Sequence, residues 1–198
     1  MIPGERFIQH EPIRRTLLSL AVVFSCQVWM QQSGAQMTRP ASHAEHVLAV
    51  LHDGFIAESA GTLDLLAVPE QVYLMIWRLE MEAYNGGLPQ FFSNSGGAFV
   101  PHLADAFKAM GAEHVWPIVD EAVAIVGPDV PWNDDVKRWR AVNNLSDEAK
   151  ARIRALDKRF GEHLEELSIL LLDYVLRNRE PFRMPEEFWK EAVSHDPR

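Results

Sequence analysis

Apolar residues recur every three to four positions along most of the chain, and this spacing is typical of amphipathic helices. The most regular stretch runs from 115 to 126 and ends at Gly127-Pro128, a common helix stop. No segment of useful length alternates apolar and polar residues with the period of a strand. The pattern therefore predicts an all-α fold, a single compact domain of several helices arranged around a central Asn-Gly-Gly and Phe-Phe segment.

Capping residues predict where several helices begin and end. Ser42 is placed to cap the first helix, with Gly61 as its stop, and Pro69 suits the first turn of the second. Ser146 opens a long apolar face that extends to 175, and Gly161 is a candidate point of division.

Pro101 and Gly111 bracket a further short helix. On the second helix, Tyr73 and Trp77 lie off the main apolar stripe. They indicate either a second packing surface or a dimer contact.

A polar, glycine-rich stretch interrupts the helical pattern between 82 and 97. Asn85-Gly86-Gly87 ends a helical pattern and precedes Pro89, so the helix is expected to stop there. Phe91 and Phe92 then need a core to enter. The polar residues Glu82, Asn85, Gln90 and Asn94 are more often caps and turn residues than ligands, and a small-molecule or catalytic site at this cluster is the less favoured alternative.

The run Glu-x-x-Asn-Gly-Gly-x-x-Gln-Phe-Phe-x-Asn-Ser-x-Gly, followed by Ala109-Met110-Gly111-Ala112, resembles the signature of the bacterial DNA-mimic protein DMP family. Residues 156–160 and 171–175 resemble the family's C-terminal part, so the resemblance covers about residues 45 to 182. Its motif residues, expected to be mainly structural, are Glu82, Asn85, Gly86, Gly87, Gln90, Phe91, Phe92, Asn94, Ser95 and Gly97.

The resemblance implies an all-helical, often dimeric protein. The characterised member presents carboxylates in place of DNA phosphates and occupies a DNA-binding regulator. The partner implied here is a basic DNA-binding protein or transcription regulator, with no direct nucleic-acid binding, and a homodimer is a further expectation. The motif supports the fold, whereas mimicry depends on surface acids that the motif does not contain.

Charge and composition agree with a basic partner. The chain has 198 residues, 47% of them hydrophobic, with 19 basic and 28 acidic residues and a net charge of -9. That length suits one domain with a substantial core. The acidity disfavours nucleic-acid binding. A single cysteine, Cys26, excludes an intramolecular disulfide.

The clearest block of acids lies between 162 and 176, which contains no lysine or arginine. On one continuous helix its four carboxylates would share an outward arc about 16.5 Å long. They are expected to form the partner-binding surface, although an ordinary solvated helix face explains them equally well. A second acidic area from the first two helices would complete a duplex-like footprint. The proposed surface residues are Glu162, Glu165, Glu166, Asp173, Glu45, Asp53 and Glu58.

No phosphate loop, nucleophile elbow or thiol dyad is present, so the sequence predicts a protein without catalytic, cofactor or metal residues. His43 and His46 are three residues apart, but a surface role is favoured over metal binding. His102, His114 and His163 are isolated in sequence. An immunity or antitoxin-like protein that neutralises a basic toxin or nuclease is the second functional hypothesis.

Residues 1 to 36 are expected to lie outside the domain, which is assigned to 41–194. Arg14-Arg15, the apolar run 17–30 and Ser33-Gly34-Ala35 resemble a secretory signal, which would make the protein exported. Glu5, Glu11 and Met37 favour the alternative of an upstream start on a cytoplasmic protein. No membrane contact is expected for the folded domain.

Overall fold

The computed structural model describes residues 42–56 and 63–194. These residues contain eight α-helices and two 3-10 helices, and no strand occurs among them. This confirms the predicted all-α fold. The helices are α1 His43–Ile56, α2 Val68–Ser93, α3 Leu103–Met110, α4 Trp116–Val126, α5 Asp135–Asn143, α6 Asp147–Gly161, α7 Leu164–Arg177 and α8 Glu186–Ser194; the 3-10 helices are Leu63–Leu65 and Ser95–His102.

Local capping explains where these helices begin. The Ser42 hydroxyl accepts a hydrogen bond from the backbone N–H of Glu45, whose carboxylate accepts one from the Ser42 N–H in return, at 3.2 and 2.6 Å. This reciprocal pair is a capping box. Ser146 caps α6 through the N–H of Ala149, at 3.2 Å. These predicted caps are confirmed, and the predicted stop at Gly61 lies outside the described residues.

Helix α2 lies at the centre of the fold and contacts α3, α5, α6, α7 and the Ser95–His102 turn. Its backbone leaves helical geometry at Gly86 and Gly87, the latter with φ 77°, and resumes at Leu88. The predicted break is therefore confirmed, but the chain turns directly into a second helical segment. The rings of Phe91 and Phe92 on that segment are fully buried.

Tyr73 and Trp77 form a second packing surface inside the chain. The Tyr73 hydroxyl donates to the carbonyl of Leu48 on α1 at 2.9 Å, and its ring stacks on Trp77 with centroids 6.3 Å apart. The edge of Phe182 completes the contact at 5.7 Å. Both rings are therefore used in packing within the chain, which confirms the predicted second packing surface rather than the alternative of a dimer contact.

The long C-terminal region is two helices rather than one. Helix α6 ends at Gly161 and α7 begins at Leu164, with Glu162 and His163 in the turn between them. The backbone N–H of His163 bonds the carbonyl of Phe160 at 2.9 Å, a tight turn that ends the α-helical ladder. The estimate of one straight acidic arc from Glu162 to Asp173 is therefore wrong, because it assumed a continuous helix.

Helix α7 packs on α1, α2 and α3, whereas α6 packs on α2 and α4. Helix α8 buries Trp189, and a ring nitrogen of His43 lies 3.2 Å from the Ala192 carbonyl. Within 42–56 and 63–194, no helix is both long enough and apolar enough to cross a bilayer.

Candidate functional site

Arg138 of α5 holds the second break of the central motif in place. Its side chain is fully buried, and its guanidinium donates to the carbonyls of Trp132 and Asn94 and to Asp135 Oδ1; the last two distances are 2.9 and 2.7 Å. Asp135 is itself exposed, so the ion pair bridges core and solvent. Sequence reasoning missed Arg138, because a charged residue in a short polar helix is normally solvated.

Gly97 makes room for this arginine. A Cβ atom at position 97 would lie 2.4 Å from the Phe92 carbonyl oxygen and 2.5 Å from Arg138 Cδ. No real Cβ tolerates either distance. The glycine at the end of the motif is therefore required by the close passage of Arg138.

The first break of the motif is held by Asp157 of α6. Its Oδ1 accepts a hydrogen bond from the Leu88 N–H at 2.7 Å, and its Oδ2 would lie 2.7 Å from a Cβ at Gly87. Because Gly87 has positive φ and no side chain, the carboxylate can reach the start of the second segment of α2. This contact joins the central motif to the C-terminal segment 156–160.

The four polar residues of the motif make local contacts. The Asn85 amide donates to the Met81 carbonyl at 2.8 Å, and Gln90 Oε1 lies over Gly86, 2.2 Å from where a Cβ would be. Glu82 is largely buried and pairs with Arg78 at 3.5 Å. Burial raises the pKa of Glu82, and the Asn94 amide and Arg78 oppose that rise. Ser95 is exposed. These are contacts that stabilise turns.

Glu80 is a buried acid on the face of α2 that packs into the core. It accepts a hydrogen bond from Ser168 of α7 at 3.1 Å, and its second oxygen has no partner among the described residues. Burial raises its pKa to about 8, against the opposing hydrogen bond from Ser168. Glu80 is therefore mostly uncharged at neutral pH and adds little to the surface charge of the protein.

The acids of the predicted partner surface have different surroundings. Glu162 and Glu165 are exposed and Asp173 is half-buried, at the α6–α7 turn and on α7. Within the described part of the chain, no lysine or arginine side chain forms an ion pair with any of these three. Arg177 donates a hydrogen bond to the backbone carbonyl of Asp173 at 3.2 Å, which places a cation near the C-terminal end of this acidic surface.

The predicted second acidic area is less available. Glu45 is partly buried and uses its carboxylate to cap its own helix. Burial raises the pKa of Asp53, which is also partly covered. Glu58 lies outside the described residues.

His114, His163 and Glu166 meet at the surface beside the start of α7. His114 Nε2 lies 3.1 Å from Glu166 Oε1, and His163 Nδ1 lies 3.0 Å from Glu166 Oε2. The two rings meet edge to face with centroids 5.7 Å apart. The sequence presents these histidines as isolated because they belong to different elements; packing of α3 on α7 brings them together.

One comparison with known proteins, a scan against family models, found a match. A family model described as DMP19-like protein matches residues 64–178, more than half of the chain. The matched range includes the central motif, Arg138, Asp157 and the acids of α7. Searches of curated proteins and of solved structures found no significant match.

Proposed function

This chain belongs to the DMP19-like protein family, and we propose that it is an acidic interaction protein that binds the DNA-contacting face of a basic regulator. Its carboxylates would take the positions of DNA phosphates and so keep the regulator from its site. Resemblance to the bacterial DNA mimics and the net charge of -9 support this role.

The observation that supports the proposal most is the lack of ion-pair partners, among the described residues, for three carboxylates, one just before α7 and two on it. Glu162, Glu165 and Asp173 form no ion pair with a lysine or arginine in the described ranges, whereas Glu121, on α4, lies 3.8 and 3.7 Å from Arg152 and Arg159. A carboxylate without an ion-pair partner retains its field for an approaching cationic protein, and two of these three, Glu162 and Glu165, are exposed. A basic partner would gain charge pairs there without first breaking internal ones.

The contacts of the central motif indicate a structural role rather than a binding role. The Asn85 amide bonds neighbouring backbone, and Glu82 is largely buried. The motif's glycines admit Asp157 and Arg138 at close range. The motif therefore maintains the fold that presents α7. We place the activity on the acidic surface of Glu162, Glu165 and Asp173, and no reaction is proposed.

Affinity capture from the native host at low salt, followed by a salt gradient, tests this function. A mimic should retain a DNA-binding protein that elutes as salt rises, because long-range charge attraction is screened. Duplex DNA carrying that protein's binding site should displace it. Binding of the purified pair is then measured for the triple variant Glu162→Lys, Glu165→Lys and Asp173→Lys.

The matched control reverses three other acids with the same change in net charge: Asp120, Asp129 and Glu180, all exposed. The α7 variant should lose at least about tenfold in affinity while the control keeps most of it, because contact charges matter more than distant ones. Equal losses of affinity in the α7 variant and the control would show that only net charge matters, and would contradict the assignment of the partner surface to α7. A captured nuclease that DNA does not displace would instead support an immunity role.

A further inference from the structure

We infer that His114, His163 and Glu166 form a binding site for a divalent transition-metal ion, with Zn²⁺ the best fit. The site adjoins the proposed acidic surface at Glu162 and Glu165, but it needs no partner to be tested. Two imidazole nitrogens and one carboxylate are a donor set that zinc uses when it keeps a water ligand.

The distances suit a metal. One ligand atom from each residue can be chosen so that all three lie within 4.8 Å of one another. The two contacts between imidazole nitrogen and carboxylate oxygen are 3.1 and 3.0 Å. In a tetrahedral site with bonds of about 2.1 Å, ligand atoms lie about 3.4 Å apart, so small rotations of the three side chains would admit the ion.

The backbone holds the three ligands at fixed positions. His114 lies in a turn between the buried residues Ala112 and Val115, and the Ala112 N–H bonds the Phe107 carbonyl at 2.8 Å. His163 follows the buried Phe160, and Glu166 precedes the buried Leu167. Ligands carried on packed elements lose less freedom when an ion binds than ligands on free loops do.

The site is open to solvent and electrically suited to a cation. The side chains of His114, His163 and Glu166 are 51%, 31% and 46% exposed, so an ion can enter and water can complete its coordination. Glu166 supplies a carboxylate oxygen as the anionic ligand of the set. Unpaired Glu165, next in the chain, adds to the local negative field.

Isothermal titration of the full chain with ZnCl₂ at pH 7.5, after removal of metal by chelation, tests the site. We expect one ion to bind in competition with a chelator, and the affinity to fall at least about tenfold in His114→Ala and in His163→Ala. Glu166→Gln should weaken binding too, although it preserves the shape of the side chain. Thermal unfolding checks that each variant is folded, and Zn²⁺ should raise the midpoint of the wild type more than that of these three variants.

His102→Ala is the control, because His102 is exposed and belongs to no part of this cluster. It should bind Zn²⁺ as the wild type does. Unchanged Zn²⁺ affinity in the His114 and His163 variants would overturn the proposal, as would loss of the ion in His46→Ala, which would assign it to the pair on α1. Wild-type protein that takes up no Zn²⁺ would overturn it equally.

Discussion

Asp157 Oδ1 accepts a hydrogen bond at 2.7 Å from the backbone N–H of Leu88, the first residue after the break in α2. A carboxylate on α6 thus caps a helix from which it is distant in sequence. Gly87 leaves space for it, since a Cβ there would lie 2.7 Å from Oδ2. The central motif and residues 156–160, two parts of the chain that carry the resemblance to the family, therefore meet in this contact.

Removing this cap should destabilise the fold. Asp157→Ala leaves the Leu88 N–H without its acceptor, and we expect a loss of about 1 to 2 kcal/mol in the free energy of unfolding. Asp157→Asn keeps an acceptor oxygen and should lose less. Urea unfolding followed by circular dichroism measures both. Asp120→Ala, on the exposed face of α4, is the control and should stay within about 0.5 kcal/mol of wild type.

Gly97 and Gly161 should respond differently to the same substitution. Gly97→Ala forces a methyl group against the Phe92 carbonyl and Arg138, and overpacking of this kind costs about 1 to 3 kcal/mol or more. Gly161→Ala meets no atom within 4 Å at the end of α6, so it should be neutral or stabilise by up to about 1 kcal/mol. Thermal and urea unfolding compare the pair. Similar losses for both would contradict the tight approach at Gly97.

Loss of Arg138 should be more damaging than loss of any exposed base. Arg138→Ala removes the arginine donor from the Trp132 carbonyl and one of two donors from the Asn94 carbonyl, which keeps the Gly97 N–H at 3.1 Å. It also opens a cavity, and we expect a total loss of about 3 to 5 kcal/mol. Arg138→Lys should also destabilise, because an ammonium lacks the planar fork that reaches three acceptors. Arg140→Ala on the same helix is the control, since Arg140 is exposed. An Arg138→Ala protein as stable as that control would show that these contacts contribute little.

Short-range signals in the sequence were sufficient for several helix boundaries, although the helix expected to start at Pro101 begins at Leu103, because residues 95–102 form a 3-10 helix. Ser42 and Ser146 cap as predicted because the bonds that they make reach only three residues along the chain. Gly111 and the break at Gly86-Gly87 follow from backbone geometry that few other residues adopt. Each of these features depends on neighbours that the sequence itself displays.

The features of the candidate sites that sequence reasoning missed depend on packing between distant segments. Periodicity does not indicate that Arg138 is buried or that His114 meets His163. It also did not show that Glu80 is buried, because counting acids treats every carboxylate as exposed. The division between α6 and α7 was only partly foreseen at Gly161, since the apolar stripe continues through it and only the turn at Glu162 and His163 redirects the chain.

Glu80 should make stability depend on pH in a direction opposite to that of an ordinary surface acid. Burial raises its pKa in the folded protein from the ordinary value of 4.5 to about 8, so between these pH values the folded state holds a proton that the unfolded state releases. Its contribution to stability is full below pH 4.5 and is lost as pH rises to about 8. Over that range one such group changes the free energy of unfolding by about 1.4 kcal/mol per pH unit.

Glu80→Gln removes this titration while it keeps an acceptor for Ser168. The stability of the variant relative to wild type should therefore increase steadily between pH 5 and pH 8 and then level off. Urea unfolding at intervals of half a pH unit measures the difference directly, because every other titrating group is common to both proteins. Two parallel curves would mean that Glu80 is ionised in the fold, with a solvent path to its carboxylate.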